Sequence, residues 1–278
     1  MTPQQESAVQ GMVSNGALFQ ADHPWADPIL ATLYDLFPFD ADLPLYLELA
    51  AFQGGRVLEV ACGSGRVLVP LARAGHTVVG LDASPHMLAL AREKLRANGL
   101  AESARARLVQ GDMRAFELGE RFDLAVVAVK SFIYLTERAD QQRALAAIAA
   151  HLRPGGLLVL DLLHPTPAWL LQPPGSLHQD LVQHIPERGV TLARTETVLS
   201  TELVTQIRAV RSAYEVVADE GSVTKRFVEW QYRYMYRSEA EHLLERAGLE
   251  VEAIYGGYQR ERFTSESRTM LVLARRPP

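Results

Sequence analysis

The stretch Val57-Leu-Glu-Val-Ala-Cys-Gly-Ser-Gly-Arg-Val-Leu68 runs from a short apolar strand pattern, through a glycine turn, into a helical pattern. That layout exposes backbone amides at a helix start, where a ligand can lie against them. A dinucleotide-binding loop would need another glycine three residues after Gly65 for close helix–strand packing, and Leu68 stands there. A phosphate-gripping loop would need Gly-Lys-Ser/Thr, which does not follow. Gly-x-Gly alone decides little, so the residues around it must carry the reading.

Outward from the loop, residues 56 to 163 alternate apolar runs with helical patterns. The predicted strands are Arg56–Ala61, His76–Leu81, Arg105–Gln110, Phe122–Val129 and Leu157–Leu163, with helices starting near Arg66, Ser84 and Glu137. Strands apolar on both faces and separated by helices predict a parallel sheet covered on both sides, and right-handed crossovers make it doubly wound. A further helix over Ser238–Ala247, opened by a Ser238/Glu241 capping box and stopped by Gly248, leads to strands at Leu249–Tyr255 and Thr269–Ala274. Between them, three alternating stretches near 188–199, 202–217 and 223–236 predict an antiparallel insert after the fifth strand. In its last stretch Val228, Trp230, Tyr232, Tyr234 and Tyr236 share a face. Residues 1 to about 55 read as helical, with starts at Asp27-Pro28 and at Asp42 near Pro44.

In an open α/β sheet, ligands bind beyond the carboxyl ends of the strands. Acids gather there: Glu59 inside the first strand, Asp82 ending the second, Asp112 after the third. A carboxylate after the second strand suits a ribose diol, and one after the third suits an adenine amino group. Glu59, beneath the glycine turn, can hold loop amides or an ammonium group. The pattern fits a positively charged nucleoside better than a pyrophosphate. Each acid also has a structural reading: Asp82 as a cap before Ser84-Pro85, Asp112 as a turn residue, Glu59 as part of a buried network.

The segments Glu59-Val-Ala-Cys-Gly-Ser-Gly-Arg, Gly80-Leu-Asp-Ala-Ser-Pro-His-Met-Leu, Gln110-Gly-Asp-Met-Arg and Leu152-Arg-Pro-Gly-Gly-Leu-Leu-Val-Leu-Asp resemble class I S-adenosylmethionine-dependent methyltransferases, in that family's order and spacing. The resemblance implies a seven-stranded Rossmann-like α/β sheet with the last strand antiparallel. It implies S-adenosylmethionine as cofactor and S-adenosylhomocysteine as product. Gly63 and Gly65 would then pass under the methionine part, with the Ala61 carbonyl near its ammonium. Asp82 would grip the ribose, Asp112 and Met113 would flank the adenine, and Ala83 and Met87 would complete that side. Lys130 would help close the pocket, Arg66 would meet the cofactor carboxylate or stay exposed, and Tyr34 and Tyr46 would belong to a helical lid or to the core. The insert is similar to that of small-molecule N-methyltransferases, including those acting on amino sugars. The acceptor would meet Ser131, Phe132, Tyr134, His164 and Trp230, with His164 or Tyr134 as base. His164 equally suits a structural position before Pro165, and the Trp230 face equally suits packing on its sheet. The fourth strand ends Ala128-Val-Lys-Ser-Phe-Ile-Tyr, without the Asn/Asp-Pro-Pro-aromatic motif of enzymes that methylate nucleobase or glutamine amides.

Composition sets the outer limits. The 278 residues are 48% apolar and 22% charged, the proportions of a globular chain. They read as one domain over 1–278: a helical lid over 1–54, a cofactor-binding half over 55–164, an insert over 165–237, and a last helix and two strands over 238–278. A net charge of −5 gives no global field for nucleic acid or anionic lipid. With Cys62 as the one cysteine, a disulfide within the chain and a thiolate metal cluster are excluded, and no metal is expected. The start has no secretory pattern and no apolar run is long enough to span a bilayer, so a cytoplasmic enzyme is expected. Its partner would be a small-molecule acceptor, methylated on an amine nitrogen, with a homodimer through the insert open. RNA or protein methylation and a non-catalytic cofactor-binding role are the alternatives. A NAD-linked oxidoreductase stands further off.

Overall fold

The computed structural model describes residues 28–36, 39–100, 104–186 and 189–278. The leader expected to be helical over 1–27 lies outside them. Among the described residues two units are distinguished, a larger one within 39–169 and 233–278 and a smaller one within 28–36 and 170–232.

The larger unit holds a seven-stranded sheet. Its strands are β1 (Arg56–Val60), β2 (Thr77–Asp82), β3 (Ala106–Gln110), β4 (Phe122–Val127), β5 (Leu152–Leu163), β10 (Glu250–Tyr255) and β11 (Thr269–Arg275), in the order β10-β11-β5-β4-β1-β2-β3. β1 pairs parallel with β2 and β4, β2 with β3, and β4 with β5. β11 runs antiparallel to both β5 and β10. The expected doubly wound sheet with its last strand reversed is therefore present. Leu58, Ala125 and Leu160 are buried on one face, Val57, Val126 and Val159 on the other, so the central strands are apolar throughout.

Helices α2 (Leu43–Gln53), α3 (Leu68–Arg73), α4 (Pro85–Ala97), α5 (Arg138–His151) and α7 (Arg237–Arg246) follow the sequence pattern, while the one-turn α6 (Pro167–Leu170) forms where the sequence reads as a loop. On one face Leu45, Tyr46 and Leu49 of α2 and Leu68 and Leu71 of α3 share a core with Val57, Leu124, Val126, Val159 and Leu271.

Several boundaries move for identifiable reasons. α3 starts two residues past Arg66, because Gly63–Val67 forms turns. β5 starts at Leu152, because Gly155 and Gly156 exchange backbone bonds with Arg276 (2.8 and 2.9 Å) rather than turning away. The Ser238 capping box is replaced by one at Tyr236, whose N–H donates to Glu239 Oε2 at 3.1 Å. Since α7 begins at Arg237, Glu241 sits one turn too late to cap and pairs with Arg237 instead (2.8 Å).

The smaller unit contains α1 (Pro28–Tyr34) and a four-stranded antiparallel sheet ordered β6 (Leu177–Ile185), β7 (Val190–Glu202), β8 (Ile207–Ala218) and β9 (Val223–Arg233). Three strands were expected and four form. β6 lacks clean alternation because its register slips between Gln179 and Leu181, which turns successive side chains off one face. β9 ends at Arg233, so Val228, Trp230 and Tyr232 share its buried face while Tyr236 leaves the strand to open α7.

Candidate active site

The carboxyl ends of β5, β4, β1, β2 and β3 lie side by side, and the sequence places a chemically capable residue at each. Beyond β1 the chain takes three left-handed residues, Ala61 (φ 57°), Gly63 (φ 55°) and Gly65 (φ 78°). At Ala61 that conformation is strained, a cost usually kept at functional positions. The loop is braced from several sides: Cys62 N–H donates to Leu81 O (3.0 Å), and Lys94 Nζ on α4 donates to Ser64 Oγ (3.0 Å). A Cβ on Gly63 would meet no atom within 4 Å, so the backbone is bare there and a flat ligand can lie on it. At Gly80 a Cβ would stand 2.8 Å from Cys62 Sγ and 2.4 Å from Leu68 Cδ1, which explains how closely β2 approaches the loop.

Asp82 ends β2 and is nearly buried. Its Oδ2 accepts Gly63 N–H and its Oδ1 accepts Ser84 N–H, both at 2.8 Å. The helix cap is Ser84, whose Oγ accepts Met87 N–H at 3.2 Å. Asp82 thus stitches the glycine loop to the start of α4. Asp112, just past β3, is held by Arg114, whose Nε reaches both carboxylate oxygens (3.0 and 2.8 Å). Those bonds hold its carboxyl below the usual range, and its exposure makes the arrangement easy to exchange. Met113 is half-buried, Ala83 exposed and Met87 buried.

Glu59 lies beneath the loop and is fully buried. Burial pushes its carboxyl up to about 8, while the Arg66 guanidinium and the Leu68 amide pull the other way. One of its oxygens, Oε2, has no hydrogen-bond partner among the described residues. Arg66 lies across the loop and makes a bidentate pair with Asp42 (2.6 and 2.7 Å), donates to Phe39 O (2.8 Å) and covers the Phe39 ring. Asp42 therefore stands at the start of α2 as expected but spends its carboxylate on Arg66 rather than on a helix amide. Tyr46, on α2, is wholly buried, with its hydroxyl unpartnered among the described residues. Burial first, then the Asp161 and Asp42 charges, keep that hydroxyl protonated.

Between β4 and β5, Val129 (φ 50°) and Lys130 (φ 58°) are consecutive left-handed residues without glycine's freedom. Lys130 Nζ lies 3.6 Å from Asp161 Oδ1 and 3.3 Å from Tyr258 Oη, and Tyr258 donates to Asp161 Oδ2 at 2.8 Å. Asp161 and Tyr258 were not singled out from sequence. Asp161 carries the same signal as Glu59, one acid inside a strand apolar on both faces. Nothing local marks Tyr258, which arrives from the loop after β10.

Ser131 Oγ donates to Ala128 O (2.9 Å), Phe132 is fully buried, and Tyr134 is exposed. His164 follows β5, with Nδ1 2.8 Å from Ser267 O and its ring edge-on to Phe263. A carbonyl only accepts, so Nδ1 carries a proton, and in the neutral ring the lone pair is then on Nε2. Tyr34 and Trp230 belong to the smaller unit, Tyr34 half-buried at the end of α1 and Trp230 buried with Nε1 donating to Ser212 Oγ (2.8 Å). Among the described residues no group of His, Cys, Asp and Glu could hold a metal, and no helix is long and apolar enough to cross a membrane.

The donor set fits a cationic nucleoside: a buried unpartnered carboxyl oxygen of Glu59 under a bare glycine backbone, with the Asp82 carboxylate one strand away. It predicts a proton-linked binding step. The folded protein keeps the Glu59 proton up to about pH 8 while the unfolded chain releases it near 4.5. This stability is present below the unfolded value and is lost as pH rises through the folded one. An ammonium beside Glu59 favours the carboxylate, so binding of S-adenosylhomocysteine should expel a proton at neutral pH and tighten towards pH 8. Calorimetry in two buffers of different ionisation enthalpy measures the proton, and Glu59→Gln should abolish it. Proton-neutral binding by the wild type would remove Glu59 from the site.

Comparison with known proteins agrees with this chemistry. A family model described as a methyltransferase domain matches residues 57–156. Cypemycin N-terminal methyltransferase from Streptomyces sp is 30% identical over 80% of this chain and 84% of its own length. The dTDP-3-amino-3,4,6-trideoxy-alpha-D-glucopyranose N,N-dimethyltransferase of Streptomyces venezuelae is 28% identical over 86% of this chain and 95% of its own. An amino pentose methyltransferase of Micromonospora echinaspora, solved with S-adenosylmethionine bound, superposes with a TM-score of 0.64 at 28% identity, covering 99% of this chain and 98% of that one.

Proposed function

Because the chain belongs to the S-adenosylmethionine-dependent methyltransferase family, we propose that it methylates an amine nitrogen on a small-molecule acceptor. By their names, the relatives above are an N-terminal methyltransferase of cypemycin, an N,N-dimethyltransferase of a dTDP-linked amino sugar and an amino pentose methyltransferase. The observation that carries the reading in this chain is the row of groups along the strand ends. It runs from adenine and ribose positions at Asp112 and Asp82, through the ammonium position at Glu59, to polar side chains beyond β4 and β5.

S-adenosylmethionine, when bound, supplies a methyl group on an already activated sulfonium. The chain's task is then to position and to manage a proton. Asp82 and the Gly63 backbone fix the nucleoside, and Glu59 with Tyr46 orients the amino-acid end. Holding an acceptor nitrogen in line with the methyl carbon can supply ~7–11 kcal/mol of barrier reduction. His164 Nε2, with Nδ1 committed to Ser267, is the proposed acceptor of the amine's proton; Ser131 and Tyr134 border the same stretch.

Residues 1–278 are read as one methyltransferase domain in a reducing cytoplasm, consistent with one buried free cysteine, Cys62. A homodimer forms along β6 in this reading, because that strand ends its sheet with Leu177 and Val182 exposed at 67% and 55%. A monomer in sedimentation would remove the dimer and leave the activity untouched. The test of function is release of S-adenosylhomocysteine across matched amine and alcohol acceptors. Turnover confined to amines is expected, and turnover confined to alcohols would overturn the amine assignment.

A further inference from the structure

Asp161 and Tyr258 form a cation seat outside the groups that hold the nucleoside. Asp161 has no exposed surface, and one of its two oxygens, Oδ1, has no hydrogen bond. Its Oδ2 is taken by Tyr258. A buried carboxylate of this kind requires a cation. The cation here is the chain's own: Lys130 Nζ stands 3.6 Å from Asp161 Oδ1, beyond hydrogen-bond reach, and 3.3 Å from Tyr258 Oη. Lys130 is also the exposed member, with 26% of its side chain open to solvent. It reaches the seat from a backbone of two consecutive left-handed non-glycine residues, a geometry that a merely structural lysine would not need.

We infer that Asp161 and Tyr258 are the seat for the ammonium of an amine acceptor, and that the Lys130 ammonium holds that seat until the acceptor displaces it. The inference rests on the amine reading above and names the residues that select for it. A primary alkylammonium matches Lys130 Nζ in charge, size and donor count, so it replaces a like group without leaving the buried carboxylate bare. A neutral alcohol cannot. The seated ammonium first gives a proton to His164 Nε2, the acceptor proposed above. The freed lone pair then forms the new N–C bond as the methyl's C–S bond breaks with its electron pair staying on sulfur. Positive charge returns to the nitrogen, where the Asp161 carboxylate is placed to stabilise it. The loop carrying Tyr258 also packs against Phe39 (ring centroids 5.7 Å apart).

The chain has three lysines, Lys94, Lys130 and Lys225, so side-chain isotope-labelled lysine gives a spectrum simple enough to follow one of them. In the S-adenosylhomocysteine complex, methylammonium chloride is titrated against sodium chloride at equal ionic strength, with Lys130 assigned by its loss in Lys130→Arg. The expected result is a saturable shift of the Lys130 signal with methylammonium only, absent in Asp161→Asn. In turnover, Asp161→Asn should raise KM for an amine acceptor at least ~30-fold, the effect of unpairing a buried charge, with S-adenosylhomocysteine affinity unchanged. A Lys130 signal that methylammonium leaves in place, or moves equally in Asp161→Asn, overturns the seat. Loss of S-adenosylhomocysteine binding in the wild type would instead overturn the cofactor site. Alcohol-only turnover would overturn the amine reading.

Discussion

Asp82→Ala is expected to weaken S-adenosylhomocysteine binding by at least ~100-fold. In the proposed arrangement the Asp82 carboxylate accepts both ribose hydroxyls. A hydrogen bond to a charged group contributes about 1.5–3 kcal/mol, so two of them amount to roughly 3–4 kcal/mol or more. The same carboxylate holds Gly63 and Ser84 amides at 2.8 Å, so the truncation also loosens the glycine loop that the cofactor lies on. The sequence alone suggests a variant that folds unchanged; the two amide bonds predict a modest loss of stability as well. Asp82→Asn separates the effects, because it keeps one acceptor oxygen for an amide while removing the charge. Calorimetric titration of both variants is the measurement, and an Asp82→Ala affinity close to wild type would place the nucleoside elsewhere.

Asp42→Ala carries the second large effect, this time on stability. Asp42 has no exposed surface, and its bidentate pair with Arg66 ties the start of α2 to the glycine loop. Removing one partner of a buried pair leaves the other charge uncompensated, a loss of about 3 kcal/mol or slightly more. For a chain of this size that lowers Tm by ~5–10 °C. Replacing both members by apolar residues of similar volume, Asp42→Leu with Arg66→Met, removes the bare charge and should recover most of the loss. Thermal unfolding of the single and double variants decides it. A single variant that melts with the wild type would show that the pair contributes nothing to holding α2.

The fold was legible because its signals are local and repeated. Strands such as Val57–Val60 and Ala125–Val127 are apolar on both faces, and only a parallel sheet between helix layers buries both. The acids at Glu59 and Asp82 were legible for a related reason, since a charge inside or ending such a strand must meet a partner. Asp161 satisfied the same criterion and went unread because no turn or glycine follows it to draw attention. What stayed hidden was the pairing. Asp42 reads as a helix cap, yet its carboxylate is drawn to Arg66, 24 positions away. Tyr258 reaches Asp161 from 97 positions away, on a loop whose path no periodicity records. β6 escaped for the opposite reason, since its bulge destroys the alternation that would have marked it.

The measurement that bears most directly on the account is a crystal structure of the protein with S-adenosylhomocysteine. The predicted complex has both ribose hydroxyls on Asp82, the homocysteine ammonium within reach of Glu59 and the Ala61 carbonyl, and the sulfur facing the Lys130–Asp161–Tyr258 group. A nucleoside bound away from the Gly63 loop, or a sulfur turned from that group, would contradict it.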